Sequence, residues 1–364
     1  MPIDLRTRKL AQQTIKHSLD IKPGDRVIIT GSEESIDFMK ELYKAVVLAK
    51  AHPIVRFNLP DVSDFFYKYA TKEQLERFPQ EIYDLIKSAN KYIGIHTELN
   101  TKELSSIDSK KIITRSKTIR PIVEHIANSP KEVMKRITIA YPCISFAQEA
   151  EMSLNEYEKF VYDACLQDWK KLGKMYDKIA KVFEKASKVH LKGENVDLKF
   201  SIKGKNVVAD KGEENMPGGE VFMAPVRESL NGWIRFEYPA IRSGKEVLDI
   251  YLEFENGKVV EYDASKNKDF LKQMLETDEN SSFIGEFGIG CNPKIKKFTK
   301  NLLFDEKIGG TIHLALGSAY KENGGGNDSA IHWDIVKDMS KAKIIVDNKV
   351  VQEKGKWKIK GVRL

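Results

Sequence analysis

The apolar pattern of this chain changes period near residue 188, and that change limits the fold to two differently built halves. Before it, β-branched runs alternate with helical patterns. Arg26 to Thr30 ends at Gly31 and leads into a helical pattern from about Ser35 to Lys50, and then comes the apolar run Pro53 to Phe57. Tyr92 to His96 and Arg136 to Ala140 repeat the theme. Strands separated by helices imply a parallel, doubly wound α/β sheet. A helix from roughly Leu154 to Ala186, punctuated by Gly173, is expected to link the halves.

After Val189 the pattern becomes short strands with turns: HLKGENVDLKFSIKG, VVADKGEENMPGGEVFMAPV, GWIRFEYPA and LDIYLEFENGKVVEY. The last carries an Asn256-Gly257 hairpin signal. Helix returns briefly around Asn267 to Glu276. The expected fold class is α/β, with an N-terminal doubly wound α/β domain at residues 1–188 followed by a mainly antiparallel β (α+β) domain at 189–364. A length of 364 residues suits two cores better than one. No internal repeat or low-complexity tract interrupts this organisation.

The first strand does not announce a nucleotide site. It runs into Thr30-Gly31-Ser32-Glu33-Glu34-Ser35, which lacks the GxGxxG spacing and sets two acidic residues where phosphates would approach. The N-terminal half therefore reads as a scaffold or lid. Charge gives nucleic acid little support as a partner: 60 Lys and Arg against 53 Asp and Glu leave only +7, and the nearest thing to a basic cluster is at the C-terminus. The terminal KGKWKIKGVRL reads as an exposed strand edge whose lysines oppose aggregation. The opening MPIDLRTRKL is charged where a signal peptide is apolar, and no segment is long enough to span a bilayer, so a cytoplasmic protein is expected. Cys143, Cys165 and Cys291 are far apart and outside any CxxC pairing, which argues against disulfides and thiolate zinc. Packing is the expected role of Cys291, despite its closeness to Glu286.

Every candidate for chemistry lies in the second half. In His332-Trp333-Asp334 the period of a strand puts imidazole and carboxylate on one face and sends Trp333 to the other. His313 lies in the apolar run Thr311 to Gly317, out of place without a partner or metal. Glu220 follows the Pro217-Gly218-Gly219 turn at the head of a strand, and Glu286 sits inside GEFGIG, whose glycines allow close approach. Singly, each carboxylate reads better as a cap on backbone amides. Together, two glutamates, two histidines and an aspartate can hold two divalent ions, and their hard-to-borderline donors suit zinc, cobalt or manganese. Glu306, in LFDEK, serves either as a ligand or general base or as part of a solvated turn. Tyr320 lies seven residues after His313, on the opposite face of an unbroken strand unless Gly317 supplies a bulge. Gly324 to Gly326 read as a mobile loop able to close near His332.

NMPGGEVF, GEFGIG, LFDEKIGGTIHLALGSAY and HWD, in this order over roughly residues 210–336, resemble the M29 metallo-aminopeptidases, the aminopeptidase T and aminopeptidase S group. The resemblance implies that Glu220 and His313 bind one metal, His332 and Asp334 the other, and that Glu286 lies between both. It also implies a catalytic Tyr320 beside the metals, a cytosolic homodimer, and peptide substrates with an unblocked amino end. Three departures stand out: Gly309-Gly310 lengthen the step from Glu306 to His313, Gly218 replaces a commoner polar residue, and the chain is short for the group.

The mechanism expected of such a site is hydrolysis by a metal-activated water, with Glu286 bridging the ions, Glu306 or Glu286 handling the proton and Tyr320 donating to the oxyanion. The alternative is a dinuclear hydrolase acting on a non-peptide amide or a phosphoester. A non-enzymatic module with a structural metal ranks last, because structural zinc sites are thiolate-rich.

Overall fold

A computed structural model describes residues 4–242 and 244–364. The chain forms two compact units. One comprises residues 1–167 and 212–217, the other residues 168–211 and 218–364.

The first unit is built on a parallel sheet. Strands β1 (Arg26–Gly31), β2 (His52–Phe57), β3 (Lys91–His96) and β4 (Lys135–Ala140) pair in the order β2-β1-β3-β4, all parallel. Val27, Ile28 and Ile29 of β1 are each fully buried. Successive strand residues face opposite ways, so both faces of the sheet are covered, as a doubly wound arrangement requires. On one face Ile28 clusters with Ile86, Ala89, Ile122 and Met134. The helix Ile36–Leu48 begins behind a Ser32/Ser35 capping box and buries Phe38, Met39, Leu42 and Val46 at helical spacing.

A fifth parallel strand, Asn215–Met216, joins β4. It belongs to the stretch read from sequence as part of the β-rich half. Glu214 O accepts from Thr138 N at 2.9 Å, and Gly212 O accepts from Ser18 Oγ at 2.6 Å. The opening segment is a helix from Leu5, capped by Asp4, and its first three residues lie outside those described. Among the described residues no helix is long and apolar enough to cross a membrane.

The single helix expected from Leu154 to Ala186 is two helices, Leu154–Cys165 and Trp169–Glu184. Ser153 starts the first with a capping box, and Asp168 starts the second by accepting from Lys171 N. The break lies at Leu166 to Asp168, not at Gly173. The second helix belongs to the second unit, so the boundary drawn near residue 188 falls after it rather than before it.

The second unit contains two larger antiparallel sheets. An eight-stranded sheet runs in the order Lys258–Asp263, Tyr251–Glu255, Asn231–Arg235, Val196–Ser201, Lys188–Gly193, Ala342–Val346, Lys349–Glu353 and Lys356–Trp357. Its last strand is the lysine-bearing edge expected at the C-terminus. Asn256 and Gly257 turn between Tyr251–Glu255 and Lys258–Asp263 with φ of 48° and 84°. The other sheet has five strands: β5 (Val207–Asp210), β6 (Glu220–Met223), β7 (Ile284–Gly290), β8 (Thr311–Gly317) and β9 (His332–Asp338), ordered β9-β8-β7-β6-β5. Every residue of β6, β7 and β8 is buried.

Candidate metal centre

One face of this five-stranded sheet gathers all five residues expected to bind metal. Across the ladder Glu220 pairs with Gly290, His313 with Gly288, Glu286 with Ala315, Asp334 with Ala315 and His332 with Gly317. The period of two sends the intervening residues to the other face. There Phe287 packs against Phe200 and Phe183, with ring centroids 5.1 and 6.3 Å away, and Trp333 packs edge-on against Phe270 at 6.0 Å. The apolar core thus fixes the rotation of the strands that carry the polar groups.

Two glycines make the face possible. A Cβ at Gly288 would overlap the His313 ring, so the bare backbone there is the imidazole's berth. Gly285 lies against the carbonyls of Gly317 and Ser318, and the register between β7 and β8 shifts between Ile284 and Glu286. This β-bulge turns Glu286 onto the site face. The bulge expected at Gly317 is therefore in the neighbouring strand. Gly317 instead ends β8, at φ 95°.

The ligand atoms converge. His313 Nε2 lies 3.2 Å from Glu286 Oε1, 3.5 Å from Glu220 Oε2 and 3.9 Å from Asp334 Oδ1. His332 Nε2 lies 3.4 Å from Asp334 Oδ2. Ligand atoms of Glu220, Glu286 and His313 fall within 4.8 Å of one another, as do those of Glu286, His332 and Asp334. Glu286 is common to both groups.

Both imidazoles are oriented from behind. His313 Nδ1 faces Glu306 O at 3.2 Å, and His332 Nδ1 faces Ser318 O at 2.8 Å. A carbonyl only accepts, so each Nδ1 carries hydrogen and each Nε2 is turned to the carboxylates. Asp334 Oδ1 is buried without a hydrogen-bond partner among the described residues. Two Nε2 atoms, three carboxylates and an orphaned buried oxygen fit divalent cations.

The field of the cluster runs the same way. Burial pushes Glu220 and Glu286 above the ordinary carboxylate range, although Lys307 opposes this at Glu220 and His313 at Glu286. Burial lowers the affinity of His313 for a proton, yet Glu286, Glu220 and Asp334 outweigh it and raise the pKa to about 9. His332, likewise buried, is lifted to about 10 by Asp334, Glu286 and the Ser318 carbonyl. Burial disfavours the Asp334 anion, but His332, His313 and Lys307 more than offset it, and its pKa falls. Carboxylates that draw protons onto two imidazoles also attract metal cations in their place.

The remaining candidates lie at the rim. Glu306 and Asp305 are no solvated turn: the Glu306 side chain is 15% exposed and paired with the Lys307 ammonium, while Asp305 is buried on Thr299. Tyr320 lies beyond β8, partly exposed, with its ring tilted over His332 at 4.6 Å between centroids. The glycine loop and the residue before it bond to their surroundings. Lys205 Nζ donates to Gly325 O at 2.7 Å, and Asn323 Nδ2 reaches Glu286 Oε2 at 3.2 Å.

Lys307 went unnoticed in the sequence reading. Its ammonium is fully buried and lies 3.1 Å from Glu220 Oε1. The signal was a lysine between the apolar Phe304 and Ile308, overshadowed by the two acids before it. Asn323 was missed as well. Cys291, by contrast, is buried, its Sγ turned to Ile289 O and its thiol pKa raised by burial, in keeping with packing.

Comparison with known proteins agrees with this picture. Residues 4–357 match the family model described as thermophilic metalloprotease (M29). Aminopeptidase AmpS of Bacillus subtilis (strain 168) is 24% identical over 368 residues, covering 90% of this chain and 88% of its own. Aminopeptidase T of Thermus aquaticus is 37% identical over 136 residues, 33% of each chain. The solved structure of wild-type AmpT from Thermus thermophilus superposes with a TM-score of 0.82 at 22% identity, covering 98% of this chain and 100% of that one, and so shares the fold. The chain belongs to the M29 family of metalloproteases.

Proposed function

We propose that this protein is a dinuclear metallo-aminopeptidase that releases N-terminal residues from peptides. The observation that carries the reading is the pair of ligand groups sharing Glu286. Glu220 and His313 would hold one divalent ion, His332 and Asp334 the other, and Glu286 would touch both. Zinc, cobalt or manganese bound there would supply a water acidified to near-neutral pKa and a Lewis acid for the scissile carbonyl. In this scheme the second unit, from Asp168 onward except for residues 212–217, is catalytic and the first is a scaffold or lid. A cytoplasmic homodimer accords with the same reading.

The remaining steps belong to side chains. Glu306, held by Lys307 at the edge of the cluster, takes the proton of the attacking water and returns it to the leaving amine. Lys307 keeps both Glu306 and Glu220 in place. Tyr320, over the His332 ring, donates its hydroxyl hydrogen to the oxygen that becomes negative as the carbonyl is attacked. The buried carboxylates favour a substrate whose amino end is unblocked.

Hydrolysis of leucyl peptides with unblocked and N-acetylated amino ends, before and after chelation and with metal restored, tests the reading. Cleavage confined to the unblocked peptide, lost on chelation and rescued by zinc, cobalt or manganese, is expected. Equal cleavage of the acetylated peptide would refute the exopeptidase assignment.

A further inference from the structure

Arg242 ends the short strand Ala240–Arg242 of a two-stranded hairpin in the second unit. Its Nη1 donates to His332 O at 2.5 Å, which places a guanidinium within one residue's length of the cluster. Buried or interfacial arginines ordinarily sit on a carboxylate. Among the described residues none lies within ion-pair distance of Arg242, and Asp334 attracts it only from farther away. The side chain is partly buried. Among the described residues one of its five N–H donors is bonded, and a partly buried guanidinium gains from an anion on the others.

We propose that Arg242 binds the C-terminal carboxylate of a short peptide, making dipeptides the preferred substrates; this rests on the aminopeptidase reading. Covalent geometry sets the reach. In a dipeptide only the peptide nitrogen and one Cα separate the scissile carbonyl carbon from the terminal carboxylate, a span on the order of 4 Å. Each added residue moves the carboxylate outward by about 3.5 Å, past a guanidinium anchored on His332 O. The planar fork of arginine matches a carboxylate with two parallel N–H donors.

The test compares Leu-Gly, its C-terminal amide and Leu-Gly-Gly on the metal-restored protein, as wild type, Arg242→Gln and Arg242→Lys. In wild type, kcat/KM for Leu-Gly should exceed that for the amide and the tripeptide by about 10- to 100-fold, the worth of a hydrogen-bonded charge. Arg242→Gln should bring the ratio near one. Arg242→Lys, which keeps the charge but not the fork, should retain part of it and serves if the glutamine variant does not fold. Calorimetry on chelated protein supplies a readout independent of turnover: Leu-Gly should bind more tightly than its amide, and Arg242→Gln should erase the difference. Equal binding and equal turnover of acid and amide would overturn the carboxylate site while leaving the peptidase standing. Tighter binding of the acid through Arg242 without any hydrolysis would keep the site and refute the peptidase.

Discussion

The ammonium of Lys307, with no exposed surface, lies 3.1 Å from Glu220 Oε1 and also pairs with Glu306. Burial acts against its charge, but Glu220, Glu306 and Asp210 outweigh burial and raise its pKa. Removing one member of a buried ionic group leaves the others uncompensated. Lys307→Met should therefore destabilise the chelated protein by about 3–5 kcal/mol. Urea unfolding measures this, and a loss below about 1 kcal/mol would show that Glu220 and Glu306 find other partners.

Gly288 leaves room for the His313 ring, and a methyl group there would occupy that room. Gly288→Ala should displace the imidazole and weaken binding of the ion shared with Glu220 by at least ~10–100-fold, the usual cost of disturbing a ligand's orientation. Calorimetric titration of chelated protein with zinc should then show one strong site instead of two, with far-UV circular dichroism retained. Two undiminished sites would remove His313 from the ligand set.

Lys307 and the bulge beside Glu286 mark where sequence legibility ends. His313, Glu286 and Glu220 stood out because ionisable groups in apolar runs need partners, and His332 with Asp334 because a strand's period of two aligns them. Such rules are local. Lys307 depends on which carboxylates the sheet brings to it, and the bulge at Gly285 depends on the register with β8. Asn215–Met216 pairs with β4, some seventy-five residues earlier in the chain, so no local pattern could assign it to the parallel sheet. At Leu166 to Asp168 a local signal did exist, an aspartate N-cap, but helical spacing continued across it and masked the break.

Glu286 contributes to both groups of ligand atoms and accepts from Asn323 Nδ2 at 3.2 Å. Glu286→Gln keeps the shape and one acceptor while removing the shared charge. Turnover of leucyl peptides should fall by at least ~1,000-fold, comparable to losing a major electrostatic element of an active site, with the fold intact by circular dichroism. Near-normal turnover would refute the bridging role.

Asp305 supplies the clearest pH dependence away from the five proposed ligands. Its Oδ1 accepts from Thr299 N at 2.7 Å and from Thr299 Oγ1 at 2.9 Å. Burial dominates over these bonds, the nearby Glu306 charge adds to it, and the pKa is pushed from 3.8 up to about 8. The folded protein thus holds this proton where the unfolded chain has released it. The associated stability is fully present below about pH 4 and is lost as pH rises through about 8. Asp305→Asn retains an oxygen able to accept both Thr299 bonds and has no proton to lose. Between pH 5 and 8, chelated wild type should lose stability relative to this variant, measured as the difference in urea midpoints at constant m. A difference that stays flat or rises with pH would mean Asp305 is ionised in the folded protein throughout that range.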